Sequence, residues 1–154
     1  MLELKINNSD KILAILSEMA KVTRHREPLM RDIAGTMRKA VLDNFEAGGR
    51  PSWAGIHHRS GIPLNDSGNL KGSIQQVSDN DKAIVGTNEA YAAIHQLGGV
   101  ITPKKGKYLV FKIGDRWVMT DKVEIPARPF LMLTPQDDED ILQDVQDYWQ
   151  SILK

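Results

Sequence analysis

The stretch Tyr108-Leu109-Val110-Phe111-Lys112-Ile113-Gly114-Asp115-Arg116-Trp117-Val118-Met119-Thr120 does most to decide the architecture. Leu109, Phe111 and Ile113 alternate with other residues, which gives a strand with one apolar face. Gly114-Asp115 is a two-residue turn with glycine first, so the chain reverses and pairs antiparallel with Arg116–Thr120. Upstream, Ser73–Ser78 and Lys82–Thr87 flank Asp79-Asn80-Asp81 and read as a second hairpin. Downstream, Val123–Ile125 is expected to extend the sheet until Pro126 and Pro129 remove ladder donors.

Helical periods enclose this strand-rich section. Ser9–Val22 predicts a first helix, with Ser9 as N-cap and Ile12, Ile15, Leu16 and Met19 on one face. Pro28–Ala47 predicts a longer one, carrying Leu29, Ile33, Met37, Ala40, Val41 and Phe45 at helical spacing and ending at Gly48-Gly49. A short helix with Tyr91, Ile94, His95 and Leu97 closes at Gly98-Gly99. The last helix opens on Asp137, Asp138, Glu139 and Asp140, where carboxylates offset the helix dipole. It then presents Ile141, Val145, Tyr148 and Ile152, widened by Leu142 and Trp149. Strands grouped between helices, without alternation, predict an α+β fold: a mainly antiparallel sheet against two long N-terminal helices and a C-terminal one. Residues 1–154 read as a single domain.

Composition narrows the chemistry. The chain has 154 residues, 20 Lys+Arg against 20 Asp+Glu, and no cysteine. Disulfides, thiol nucleophiles and thiolate metal sites are therefore absent. The balanced charge lacks the basic excess of a dedicated nucleic-acid binder. No apolar run approaches the roughly 20 residues of a membrane span, and Met1-Leu2-Glu3-Leu4-Lys5 has none of the features of a secretory leader. No cofactor is expected, since neither Gly48-Gly49 nor Gly98-Gly99 sits between a strand and a helix as a phosphate loop requires.

Residues 48–69 break the pattern. Arg50-Pro51-Ser52-Trp53-Ala54-Gly55 and Ser60-Gly61-Ile62-Pro63-Leu64-Asn65-Asp66-Ser67-Gly68 are rich in turn formers, and so long an irregular segment tends to be functional. His57-His58, with Asp66, Asn69 and His95, superficially matches a metal-dependent nuclease. Adjacent residues of an extended segment point to opposite sides, however, and no hairpin links the pair to a ligand-bearing helix. Ser60 or Ser67 with His57 and Asp66 lacks the strained elbow of a serine nucleophile. His95, between Ile94 and Leu97, reads as a partly buried, hydrogen-bonded histidine.

Charge is uneven along the chain. Lys21, Arg24, Arg26, Arg31, Arg38, Lys39, Arg50 and Arg59 outnumber the acids of residues 21–60, and Lys104, Lys105, Lys107 and Lys112 form a second basic stretch. The last 18 residues carry six acids and only Lys154. One basic and one acidic end suit head-to-tail association of identical subunits, which can close into a ring.

Three segments resemble one family. They are Leu64-Asn65-Asp66-Ser67-Gly68-Asn69-Leu70-Lys71-Gly72-Ser73-Ile74, Tyr91-Ala92-Ala93-Ile94-His95-Gln96-Leu97-Gly98-Gly99 and Ile125-Pro126-Ala127-Arg128-Pro129-Phe130-Leu131. In order and spacing the chain resembles the phage virion morphogenesis, or tail completion, proteins of Mu-like and related tailed phages. The resemblance implies a non-enzymatic structural protein, made in the host bacterial cytoplasm and carried in the virion. It would complete the tail or join it to the head at the neck, commonly as a ring, often of six subunits. Its partners would be itself and other tail, neck and connector proteins, with no membrane involved.

Physical roles follow for the motif residues. Ser67 is expected to cap a short helix, with Gly68 allowing the turn and Leu70 anchoring it. Tyr91 and His95, at i, i+4, would share a helix face. Pro126 and Pro129 stiffen the exit from the sheet, Phe130 plugs the core, and Arg128 is left for a directed ion pair. Arg128, with Trp53, His57, His58 and Arg59 of the irregular segment, is expected at subunit or partner contacts. Two alternatives predict different behaviour. A nuclease would depend on His57 and His58, and a DNA-contacting neck factor would bind through the lysines of 104–112 and lose affinity steeply with salt.

Overall fold

The longest apolar stripe organises the molecule. In the computed structural model, which describes residues 9–154, that stripe lies on helix α2 (Glu27–Ala47) and buries Leu29, Ala34, Ala40, Val41 and Phe45. Pro28 occupies its first turn, and at its end the Gly49 N–H returns 2.8 Å to the Asn44 carbonyl, satisfying a group the last turn leaves open. Helix α1 (Ser9–Arg24) precedes it, two residues longer at its C-terminal end than the periodicity predicts. The leader reading of Met1–Lys5, the cap role of Ser9 and the side chain of Ile12 lie outside the described residues.

After the irregular segment come the single turn α3 (Asn69–Gly72), strands β1 (Gln75–Ser78) and β2 (Ala83–Gly86), and helix α4 (Ala92–Leu97). Strands β3 (Gly99–Ile101), β4 (Leu109–Ile113), β5 (Arg116–Thr120) and β6 (Val123–Ile125) follow, then helix α5 (Pro135–Leu153). The α+β class stands. Both hairpins form antiparallel, with Ser78 opposite Ala83 and Ile113 opposite Arg116.

The strands do not make one sheet. They form three two-stranded ribbons, β1–β2, β3–β6 and β4–β5. Val123–Ile125 therefore does not extend the β4–β5 hairpin. It pairs with Gly99–Ile101, a strand the sequence reading missed because three residues beside two glycines carry too little periodicity.

α2 lies against α5 on one side and the β1–β2 ribbon on the other. Between them Val41, Phe45, Leu70, Ile74, Ala92 and Phe130 form the core, with Trp53, Leu64 and Val85 packed at its edge. The Phe45 ring meets Phe130 at 5.3 Å and Trp53 edge-on at 5.8 Å. Ile141, Val145, Tyr148 and Ile152 are half-buried on α5, whereas Leu142 faces out and does not widen that stripe.

Candidate functional site

Residues 48–68 hold no helix or strand, and their shape is set by side chains donating to backbone carbonyls. Trp53 Nε1 donates to the Pro129 carbonyl at 3.1 Å, and Asn65 Nδ2 donates to the Phe45 carbonyl at 3.0 Å. At Gly49 (φ 102°) a Cβ would lie 2.6 Å from both the Pro51 oxygen and the Trp53 nitrogen, so the turn into the segment has room only for glycine.

Arg128 fastens the segment from the other side. The residue is 7% exposed, and its guanidinium donates from Nε to the Ala54 carbonyl at 2.9 Å and from Nη2 to the Gly55 carbonyl at 2.8 Å. This corrects the expected ion pair, since among the described residues the Arg128 side chain donates to carbonyls and meets no carboxylate. Burial, and then the nearby charge of Arg59, push its pKa below the usual arginine value.

The second and third motifs are hydrogen-bonded to each other. The Arg128 N–H donates to the His95 carbonyl at 2.7 Å, and Gln96 Oε1 accepts from the N–H groups of Phe130 and Leu131, both at 2.9 Å. Gly98 (φ 70°) passes so close that a Cβ there would sit 2.7 Å from the Ala127 nitrogen. A Cβ on Gly99 would meet the Ile94 side chain at 2.8 Å. Pro126 is exposed, Pro129 half-buried and Phe130 fully buried.

Beneath this junction lies a polar network that the sequence reading missed. Asn44 Nδ2 donates to the carbonyls of Phe130 (2.8 Å) and Met132 (2.9 Å), while its Oδ1 accepts from Arg50 Nε at 2.8 Å. Arg50 also grips Asp137 with two nitrogens, at 3.1 and 2.9 Å, and donates to the Ala40 carbonyl. Asp137 completes a capping box with Thr134, so its place at the start of α5 reflects more than the helix dipole. Burial pushes the Asp137 carboxyl up, but the Thr134 N–H and Arg50 outweigh it and hold the pKa below the ordinary value. Two signals were present: a polar Asn44 on a buried stripe, and Thr134-Pro135-Gln136-Asp137 at capping-box spacing.

A cleft of about 270 Å³ opens where the segment meets α4, lined by His58, Arg59, Ser67, Leu70, Tyr91, His95 and Arg128 among others. Tyr91 precedes α4 instead of lying within it, yet its ring still meets His95 edge-on at 6.0 Å. His95 is half-buried as expected, but its Nδ1 has no hydrogen-bond partner. Burial, and then Arg128, lower its pKa and favour the neutral ring. Gly68, not Ser67, stands at the cap of α3, while Ser67 Oγ accepts from the Asn69 N–H at 3.3 Å. His57 and His58 are exposed, and Arg59 lies 3.6 Å from Asp66. Among the described residues no three His, Cys, Asp or Glu side chains are grouped to hold a metal ion. No helix among them is long and apolar enough to cross a membrane.

Comparison with known proteins agrees with the motif reading. Residues 7–150 match the phage virion morphogenesis family. The Mu-like prophage FluMu G protein 2 of Haemophilus influenzae is 52% identical over 154 residues, which cover the whole of both chains. No solved structure matches the chain.

Proposed function

The chain belongs to the phage virion morphogenesis family, and from that premise we propose that it is a non-enzymatic subunit of the tail–head junction. Its role in virion morphogenesis comes with the family. The finer reading is that it completes the tail or joins it to the head at the neck, as a homo-oligomeric ring. It works alongside other tail, neck and connector proteins, first in the host cytoplasm and then in the particle.

One observation carries this reading: residues of the motifs and of the irregular segment use their polar groups to shape that surface segment. Arg128, Trp53 and Asn65 each hold part of 48–68 or tie it to the core. Its tip residues His57 and His58 stay open to solvent. A preshaped irregular loop loses little entropy on docking, which suits a fixed contact with a neighbouring virion protein. Arg128 then supports the contact through the loop, and Trp53 does so from the core side. His57, His58 and Arg59 are the residues offered to the partner.

A stop codon at the position of Lys5 in a phage or prophage carrying this chain tests the proposal. Electron microscopy of the lysate is expected to show filled heads beside unattached tails, with whole particles restored by the intact chain supplied in trans. Infectious, joined particles lacking the chain would overturn it.

A further inference from the structure

Resting on the ring reading above, we propose that successive copies join head to tail, the outer face of the β4–β5 hairpin of one copy seating on the outer face of α5 of the next. The hairpin register places Val110 opposite Met119 and Lys112 opposite Trp117, so these four side chains share one face of the ribbon. That face is open: Val110 is 61%, Met119 66% and Trp117 70% exposed. The opposite face, with Leu109, Phe111, Ile113 and Val118, is only half-buried. An isolated two-stranded ribbon is marginal in water, and a contiguous tryptophan, methionine and valine patch is the composition of a contact surface.

The charges around the patch select its partner. Residues 104–122 carry six cations, Lys104, Lys105, Lys107, Lys112, Arg116 and Lys122, against Asp115 and Asp121. Lys107 Nζ lies 5.4 Å from the centre of the Tyr108 ring at the border of the patch. A second hairpin laid on this one would bring Lys112 and its neighbours against their own copies, so a symmetric pairing of hairpins is disfavoured. The fitting surface is apolar and anionic.

Helix α5 presents such a surface. It holds six acids and no basic residue. Asp137 turns inward to Arg50 and Asp144 to Thr36, which leaves Asp138, Glu139, Asp140 and Asp147 exposed. Leu142, 56% exposed, shares a stripe with Leu153, since eleven residues make about three turns. Asp138 and Glu139 sit one turn before Leu142 on that face. Hairpin and helix are different surfaces of one chain, so their contact is heterologous and repeats from copy to copy until it closes a ring or extends as a filament. It leaves residues 48–68 free for a different neighbour.

The absence of cysteine makes the contact directly testable. Met119→Cys and Leu142→Cys chains are prepared separately, mixed and mildly oxidised, with light scattering of the wild-type chain in parallel. The expected result is a disulfide between the two variants, well in excess of either variant's self-linked dimer. Trp117→Ala should raise the concentration needed for association at least about tenfold at unchanged Tm. A dominant Met119→Cys self-dimer would overturn the head-to-tail contact in favour of a two-fold one. A wild-type oligomer with no cross-link would overturn these surfaces while leaving the ring reading standing. A wild-type monomer with no cross-link would overturn both.

Discussion

Around Phe130 the chain keeps polar groups inside, whereas the β4–β5 hairpin leaves apolar groups outside. At the first place Asn44, Arg128 and Asp137 are buried, and each is repaid by hydrogen bonds to carbonyls, to Arg50 or to Thr134. At the second, Val110, Trp117 and Met119 face solvent with no cover. Buried polar groups that are satisfied specify a single geometry for an irregular segment, because each donor has few alternatives in a low-dielectric interior. Exposed apolar groups specify nothing within the chain, but they favour association. One region uses its side chains to fix this molecule, and the other keeps them for the next.

The contrast can be broken most severely at its inner end. Phe130→Ala empties a fully buried site between Phe45 and the loop. It should cost about 3–5 kcal/mol, read by urea unfolding. A loss below 1 kcal/mol would mean that the junction is not part of the core.

Asp137→Asn should cost about 2 kcal/mol at pH 7, because it weakens the capping box with Thr134 and leaves Arg50 without its carboxylate. The Asp137 pKa is depressed in the folded chain. Its contribution is therefore present above the unfolded value of about 3.9 and is lost as pH falls through the folded value. The stability gap between wild type and variant should narrow at pH 3, and an unchanged gap would refute the ion pair.

Arg128→Ala removes two charge-assisted bonds and should cost about 1–3 kcal/mol. Its sharper signature is local. Trypsin should cut at Arg59 faster than in wild type, and Arg128→Lys should not restore protection, since an ammonium lacks the planar fork. Equal cleavage of wild type and variant would show that the loop is held by other means.

At the small end, Trp117→Ala should change monomer stability by no more than about 0.5 kcal/mol, measured by thermal unfolding at low concentration. A large loss would mean that the tryptophan belongs to this chain's own core.

Much of the architecture could be read from local pattern. The alternation of Leu109, Phe111 and Ile113 and the Gly114-Asp115 turn placed the hairpin, and the 3.6-residue stripes placed α2 and α5. The His-Gln and Pro-Ala-Arg-Pro-Phe segments were visible as motifs, but their mutual hydrogen bonds were not. Gln96 accepts from residues more than thirty positions away, and no spacing in the sequence announces such a pair. Arg128 illustrates the same limit. An arginine between prolines suggests an ionic partner, but the nearest acceptors are carbonyls of a segment that has no period to read.

By itself, then, the sequence determined the α+β class, the helices, both hairpins and the family, because these depend on periods and turn chemistry within a few residues of one another. Only the tertiary structure decided that β3 pairs with β6, which carbonyls receive Asn44 and Arg128, and that Asp137 closes on Arg50. Those contacts join residues whose separation along the chain is set by the core between them. The physical reason is that burial, not local propensity, makes an unsatisfied polar group costly, and burial is a property of the folded chain.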